Sequence, residues 1–173
     1  MQLLDGRWRL IFSSGFAATG SLGGLRPGPS SSAASPLFSL GQVYQDIWVG
    51  KSELDNVVEL TLKSTLVSLL PSFISDTLDA RQPQVTARLR HSFEVVGAKT
   101  VRIVFEDTEV KVTGGVGGWL DNIPNLVVPR LPDVLQPPSS LRGATFDVVY
   151  LDDEMRVTRG DRGEVRVFLK GMI

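Results

Sequence analysis

The side chains able to do acid–base, nucleophilic or metal chemistry are few and scattered in this sequence. His91 is the sole histidine, and it falls on the apolar side of an alternating run, next to Ser92 and near Glu94. A general base needs a nucleophile and an orienting acid within reach, so a histidine in that setting reads more readily as a hydrogen-bonded core residue. No G-x-S-x-G elbow is present, and cysteine is absent, which excludes a disulfide framework, a thiolate zinc site and a thiol nucleophile together. Glycine clusters at 20–24 and 114–118 lack the Lys-Ser/Thr ending of a phosphate loop and the strand-to-helix setting of a dinucleotide site. Asp152 and Asp161 stand in tight turns, where a carboxylate caps local backbone N–H groups; a cation site is the alternative. These materials suit binding better than catalysis. No enzymatic activity, required cofactor or metal site is expected.

Charge narrows the partners. Lys plus Arg number 18 against 19 acidic residues, so no net field draws in a phosphate polymer, and nucleic acid is not expected. With 42% hydrophobic and 21% charged residues the chain has the balance of a folded protein. Its 173 residues suit one domain spanning 1–173. No apolar run approaches the roughly 20 residues that span a bilayer as a helix. The opening MQLLDGRWRL lacks the order of a signal peptide, and any targeting segment is expected to be absent from this chain.

The elements that must position any site are strands. Residues 7–14 set Trp8, Leu10 and Phe12 against Arg7 and Arg9 with the period of two of a half-buried strand. Residues 15–37, rich in Gly, Ser, Ala and Pro, read as a long flexible loop. Residues 41–50 carry apolar groups on both faces, and 54–62 read as the next strand, with Asp55 or Asn56 serving a turn or bulge. Residues 64–78 have near-helical spacing broken by Pro71. Residues 84–96 and 100–112 form a hairpin turned by Gly97-Ala98, with 108–112 continuing past a bulge. The segment 114–142 is punctuated by Pro and Gly, which forbid regular structure, yet it is unusually apolar. Three strand-like runs then close the chain as a meander. About eight short antiparallel strands with one or two short helices predict an all-β, up-and-down barrel that removes its own edges.

Two stretches carry a family likeness. Leu3, Leu4, Asp5, Gly6, Trp8, Leu10 and Ser13-Ser14 match an opening pattern of the form LLNGxWxLxYTS. Phe146, Asp147, Tyr150, Leu151, Asp152, Arg156, Arg159, Gly160, Asp161, Arg162, Gly163 and Phe168 match a closing pattern of the form FDxxYLDxxLRIxRGDRGxxFVL. On these residues the sequence resembles the plastid lipid-associated proteins, or fibrillins, and the middle segments GQVYQ and NVVEL fit as well. The closing motif is specific, whereas GxW also opens lipocalins. Two departures are a missing helical segment before the opening motif and a longer loop at 15–37.

The resemblance implies a lipocalin-like barrel in the chloroplast, associated with plastoglobules or thylakoids. Its ligand would be a prenylquinone, a carotenoid or another lipid. The alternative is a structural or accessory subunit docking on a photosynthetic complex or a quinone-biosynthesis enzyme. Gly6, Trp8, Asp152, Arg159, Gly160, Asp161, Arg162 and Gly163 are expected to close the barrel, with Arg159 or Arg166 stacked on Trp8 for about 0.5–2 kcal/mol. Candidate cavity-lining residues are Leu10, Phe12, Leu60, Leu89, Phe93, Ile103, Phe105, Phe146 and Val148; the competing reading packs them as ordinary core. Trp119, Leu120, Ile123, Leu126, Val127, Val128 and Leu131 are candidates for contact with a membrane or partner, or for a lid over one end.

Overall fold

The computed structural model describes residues 2–14, 38–62, 84–113, 124, 126–128 and 143–171. Alternation of apolar and polar side chains is resolved into nine strands: β1 (Gly6–Ser13), β2 (Phe38–Trp48), β3 (Glu53–Leu62), β4 (Gln84–Val95), β5 (Thr100–Thr113), β6 (Leu126–Val128), β7 (Gly143–Leu151), β8 (Met155–Gly160) and β9 (Val165–Lys170). Eight of them join antiparallel in the order β4-β3-β2-β1-β9-β8-β7-β5, and pairing of β4 with β5 closes the ring. Closure leaves no free edge around that ring, as the alternating pattern anticipates.

The hairpin, its continuation past a bulge and the closing meander all form as expected. The bulge lies at Glu106, since Arg90 pairs with Asp107 while His91 pairs with Phe105. Short 3-10 turns at Gln2–Leu4 and Val49–Lys51 are the helical elements among the described residues. The expected helix at 64–78 and the expected loop at 15–37 lie outside the described residues.

Three expectations need correction. Phe12 does not point inward: a bulge between Leu10 and Phe12 sets it opposite Val167 on the outer face, where it is 54% exposed. One extra residue in a strand inverts every side chain beyond it, which is why Ile11 also stands in solvent. Asn56 is no turn residue but a buried mid-strand group opposite Gln45, and Asp55 is buried beside it on the outward-facing parity. Finally, the segment 114–142 does hold regular structure, because β6 forms between Pro124 and Pro129 and pairs with Thr108–Val110 of β5. It occupies the position beside β5 that β7, paired only with Thr100–Val104, leaves open.

Register divides the interior into two levels. The lower cluster contains Trp8, Ile47, Leu54, Phe93, Ile103, Phe146 and Phe168; the upper contains Val43, Val58, Ala87 and Leu89. Strand alternation puts Gln45 between Ile47 and Val43, and Asn56 between Leu54 and Val58, so a polar level separates the two. Short turns at 49–52, 96–99 and 152–154 serve the lower end. At the upper end the described strands finish at 13, 38, 62, 84, 113 and 143.

In urea denaturation, Leu54→Ala is expected to cost about 2–5 kcal/mol, as for a fully buried leucine. Phe12→Ser should stay within about 0.5 kcal/mol of the parent, as for an exposed site. Equal losses would return Phe12 to the core.

Candidate functional site

The lower end is built around Trp8. Gly6 precedes it with φ +118°, a conformation an L side chain resists, and a Cβ there would press on the Lys170 side chain at 3.3 Å. The chain thereby turns so that the Trp8 indole N–H donates to the Leu4 carbonyl at 2.8 Å. Leu4 is itself buried, and Asp5 accepts the Val49 N–H at 2.8 Å, which ties the N-terminal turn across the barrel floor.

The cation on Trp8 is Arg156, in place of the expected Arg159 or Arg166. Its guanidinium carbon lies 5.0 Å from the Trp8 ring centroid and 4.3 Å from that of Phe168. Lys170 approaches the Trp8 ring at 5.1 Å as well. Arg159 is exposed on the outer face, opposite Asp147. Arg166 points inward but is engaged by Glu164 at 2.6 Å, and that carboxylate stands where a side chain on Gly160 would have to go. Here lies the reason for the first glycine of the RGDRG turn. The second, Gly163, has φ +82°. Arg162 and Asp161 are exposed, and the Asp161 N–H donates to the Thr145 carbonyl at 3.1 Å.

Asp152 behaves as a turn carboxylate. It accepts the Tyr150 hydroxyl at 2.6 Å and the N–H groups of Glu154 at 2.8 Å and Met155 at 2.6 Å. Those bonds, the Tyr150 one foremost, hold its pKa below the ordinary carboxylate value. No group of three or more His, Asp or Glu suited to a metal occurs among the described residues.

The polar level is the feature that the sequence reading missed. Arg156 donates to the Gln45 carbonyl oxygen, and the Gln45 amide donates to Asn56 at 3.0 Å. Because β9 and β1 lie between β8 and β2 in the ring, this contact crosses the lumen. The signal was available for two of the three: Gln45 shares parity with Val43 and Ile47, and Asn56 with Leu54 and Val58.

The candidate lining residues fall on both levels. Phe93, Ile103 and Phe146 belong to the lower core, with Val148 packed against it. Leu89 belongs to the upper cluster, with Leu60 and Phe105 packed against it, and Leu10 touches both. Trp119, Leu120, Ile123 and Leu131 lie outside the described residues, and Leu126, Val127 and Val128 are placed by backbone register in β6. Leu60, Val85, Phe105, Val110 and Val112 share the inward parity of the upper level yet keep part of their surface open. The lower level is packed; the upper is accessible.

A separate cleft of about 630 Å³ opens on the outer face of β3, β4 and β5, lined by Trp48, Asp55, Arg88, Arg90 and Asp107 among others. Its charges neutralise one another, with Arg88 3.2 Å from Asp55 and Arg90 3.0 Å from Glu109. Such pairs make a solvated surface rather than a reactive centre.

The architecture is that of a closed antiparallel barrel with a tryptophan–arginine floor, the lipocalin-like class. The PAP_fibrillin family model matches residues 1–169. The chain is 42% identical over 166 residues to "Plastid-lipid-associated protein 6, chloroplastic" of Arabidopsis thaliana, covering 96% of this chain. It spans about half of that relative's length, 52%. No solved structure matches it. The chain belongs to the PAP/fibrillin family of plastid lipid-associated proteins.

His91 is buried, its Nδ1 is 2.9 Å from the Leu89 carbonyl oxygen, and its ring meets Phe105 edge-on at 5.7 Å. Burial lowers its pKa from the usual 6.5, outweighing the carbonyls of Leu89 and Leu54 and the charge of Glu106, which act the other way. A base whose folded pKa is depressed takes up its proton more readily when unfolded. Its contribution is therefore intact above pH 6.5 and is lost as pH falls below that value. Thermal stability should drop between about pH 7.5 and about pH 5.5, and His91→Gln should flatten that slope. An unchanged slope would mean that His91 does not carry it.

Proposed function

We propose that the chain is a non-catalytic lipid-holding protein of plastoglobule or thylakoid membranes, with an apolar isoprenoid or acyl lipid seated in the upper half of its barrel. The carrying observation is the set of inward-facing apolar residues above the polar level that keep solvent exposure, Leu60, Phe105 and Val110 among them. A folded protein has little reason to leave such a wall unpacked unless something apolar covers it, at about 25 cal/mol per Å² buried. Membership of a plastid lipid-associated family supports the same reading and sets it in the plastid. Contact with the membrane is assigned, on composition, to the apolar segment 114–142.

One observation favours a second reading, docking on a photosynthetic complex or a quinone-pathway enzyme. Tyr150, Val157, Val167 and Phe12 form a single cross-strand row on the outer face of β7, β8, β9 and β1. Phe12 and Tyr150, at its two ends, are exposed. Each end is turned outward by a bulge, one between Leu10 and Phe12 and one between Val148 and Tyr150. An apolar row of this kind suits a protein partner.

Mass spectrometry of lipid extracted from protein isolated from plastids separates the readings. One prenylquinone, carotenoid or acyl lipid per chain is expected; protein that emerges lipid-free and bound to another polypeptide would favour docking.

A further inference from the structure

The lumen holds a positive charge that the protein itself does not neutralise. Arg156 has no exposed surface, and among the described residues its Nε and Nη1 have no hydrogen-bond partner. Its one side-chain acceptor is the neutral Gln45. The charged group that influences it is another cation, Arg166, which together with burial lowers its pKa to about 9, so the guanidinium remains protonated at neutral pH. Arg166 is matched by Glu164, which leaves Arg156 as the unmatched charge.

Packing alone does not account for such a group. Methionine would fill the space between Trp8 and Phe168 without the several kcal/mol that an unpaired buried ion costs. Each unsatisfied buried donor adds about 1–3 kcal/mol to that cost. Stacking on two rings returns only part of it.

We propose that Arg156, with Gln45 and Asn56 beside it, receives the carboxylate of a long-chain fatty acid that enters the lumen head first. This deepens the lipid-holding reading and rests on it. The charges balance: one guanidinium meets one monoanion, and the two unpartnered N–H edges supply a fork of donors matched to carboxylate geometry. A neutral quinone or alcohol head could accept a hydrogen bond but would leave the charge unmatched. A phosphate carrying up to two negative charges would exceed it. Above the head, the wall is apolar through Val43, Val58, Leu89 and the half-exposed Leu60 and Phe105, and it leads to the upper end of the barrel. The tail would therefore lie along the part of the lumen that is left accessible.

The test uses the full chain stripped of lipid and calorimetric titration with three ligands of one chain length: oleate, oleyl alcohol and oleyl phosphate. Oleate is expected to bind at least tenfold more tightly than the alcohol and more tightly than the phosphate. In Arg156→Met the oleate affinity should fall to that of the alcohol, with the alcohol unchanged. Because the three-ligand comparison is made on the parent protein, it decides the matter even if that variant does not fold. Equal affinity for oleate and alcohol overturns the head-group assignment while leaving lipid in the lumen. Tighter phosphate binding overturns the carboxylate in favour of a phosphorylated lipid. No binding of any of the three overturns both this inference and the lipid-holding reading.

Discussion

A guanidinium with no exposed surface lies across the lumen, flanked by the rings of Trp8 and Phe168, and the two-level organisation of the barrel follows from it. An arginine on β8 that reaches Gln45 on β2 occupies the cross-section, so apolar packing below it and apolar packing above it cannot merge. The floor then needs its own closure. Leu4, the Trp8 indole bond and the positive-φ Gly6 supply it. The upper level is freed from packing duty, and its inward side chains remain open.

Register depends on the same region. Arg156, Phe168 and Leu10 stand opposite one another across β8, β9 and β1, so the interior row that holds the arginine is continuous through three strands. Immediately beyond Leu10, and beyond Val148 on β7, bulges invert the alternation. The interior therefore ends where the outer apolar row of Phe12, Val167, Val157 and Tyr150 begins. One device, a single extra residue, ends the lining and presents hydrophobic groups to the outside.

Much of this could be read in the sequence because alternation is a local signal. The hairpin of β4 and β5, the closing meander and the core position of His91 required nothing beyond period two. The position of Phe12 did not follow, because a bulge adds one residue without any compositional mark and the pattern continues on the wrong face. The choice among Arg156, Arg159 and Arg166 as the partner of Trp8 also did not follow. All three sit in strand-like runs of similar chemistry, and only cross-strand register decides which one meets the indole. Asn56 was misread for a different reason: a residue common in turns was taken at its propensity, although its parity with Leu54 and Val58 placed it inside. β6 was hidden by the prolines on either side of it, since pairing to β5 overrode local composition.

The family accounts for the kind of ligand, and the geometry accounts for how a barrel of this size divides into a sealed floor and an accessible upper half. That division is the central claim, and hydrogen–deuterium exchange resolved by residue tests it most directly. Amides around the floor, at Trp8, Leu54, Phe93, Arg156 and Phe168, should exchange slowest, through global unfolding alone. Amides at the upper ends of β4 and β5, from Val85 and from Val110 to Thr113, should exchange at least tenfold faster by local opening. Uniform protection around the whole barrel, or a floor that exchanges before the upper end, would contradict the account.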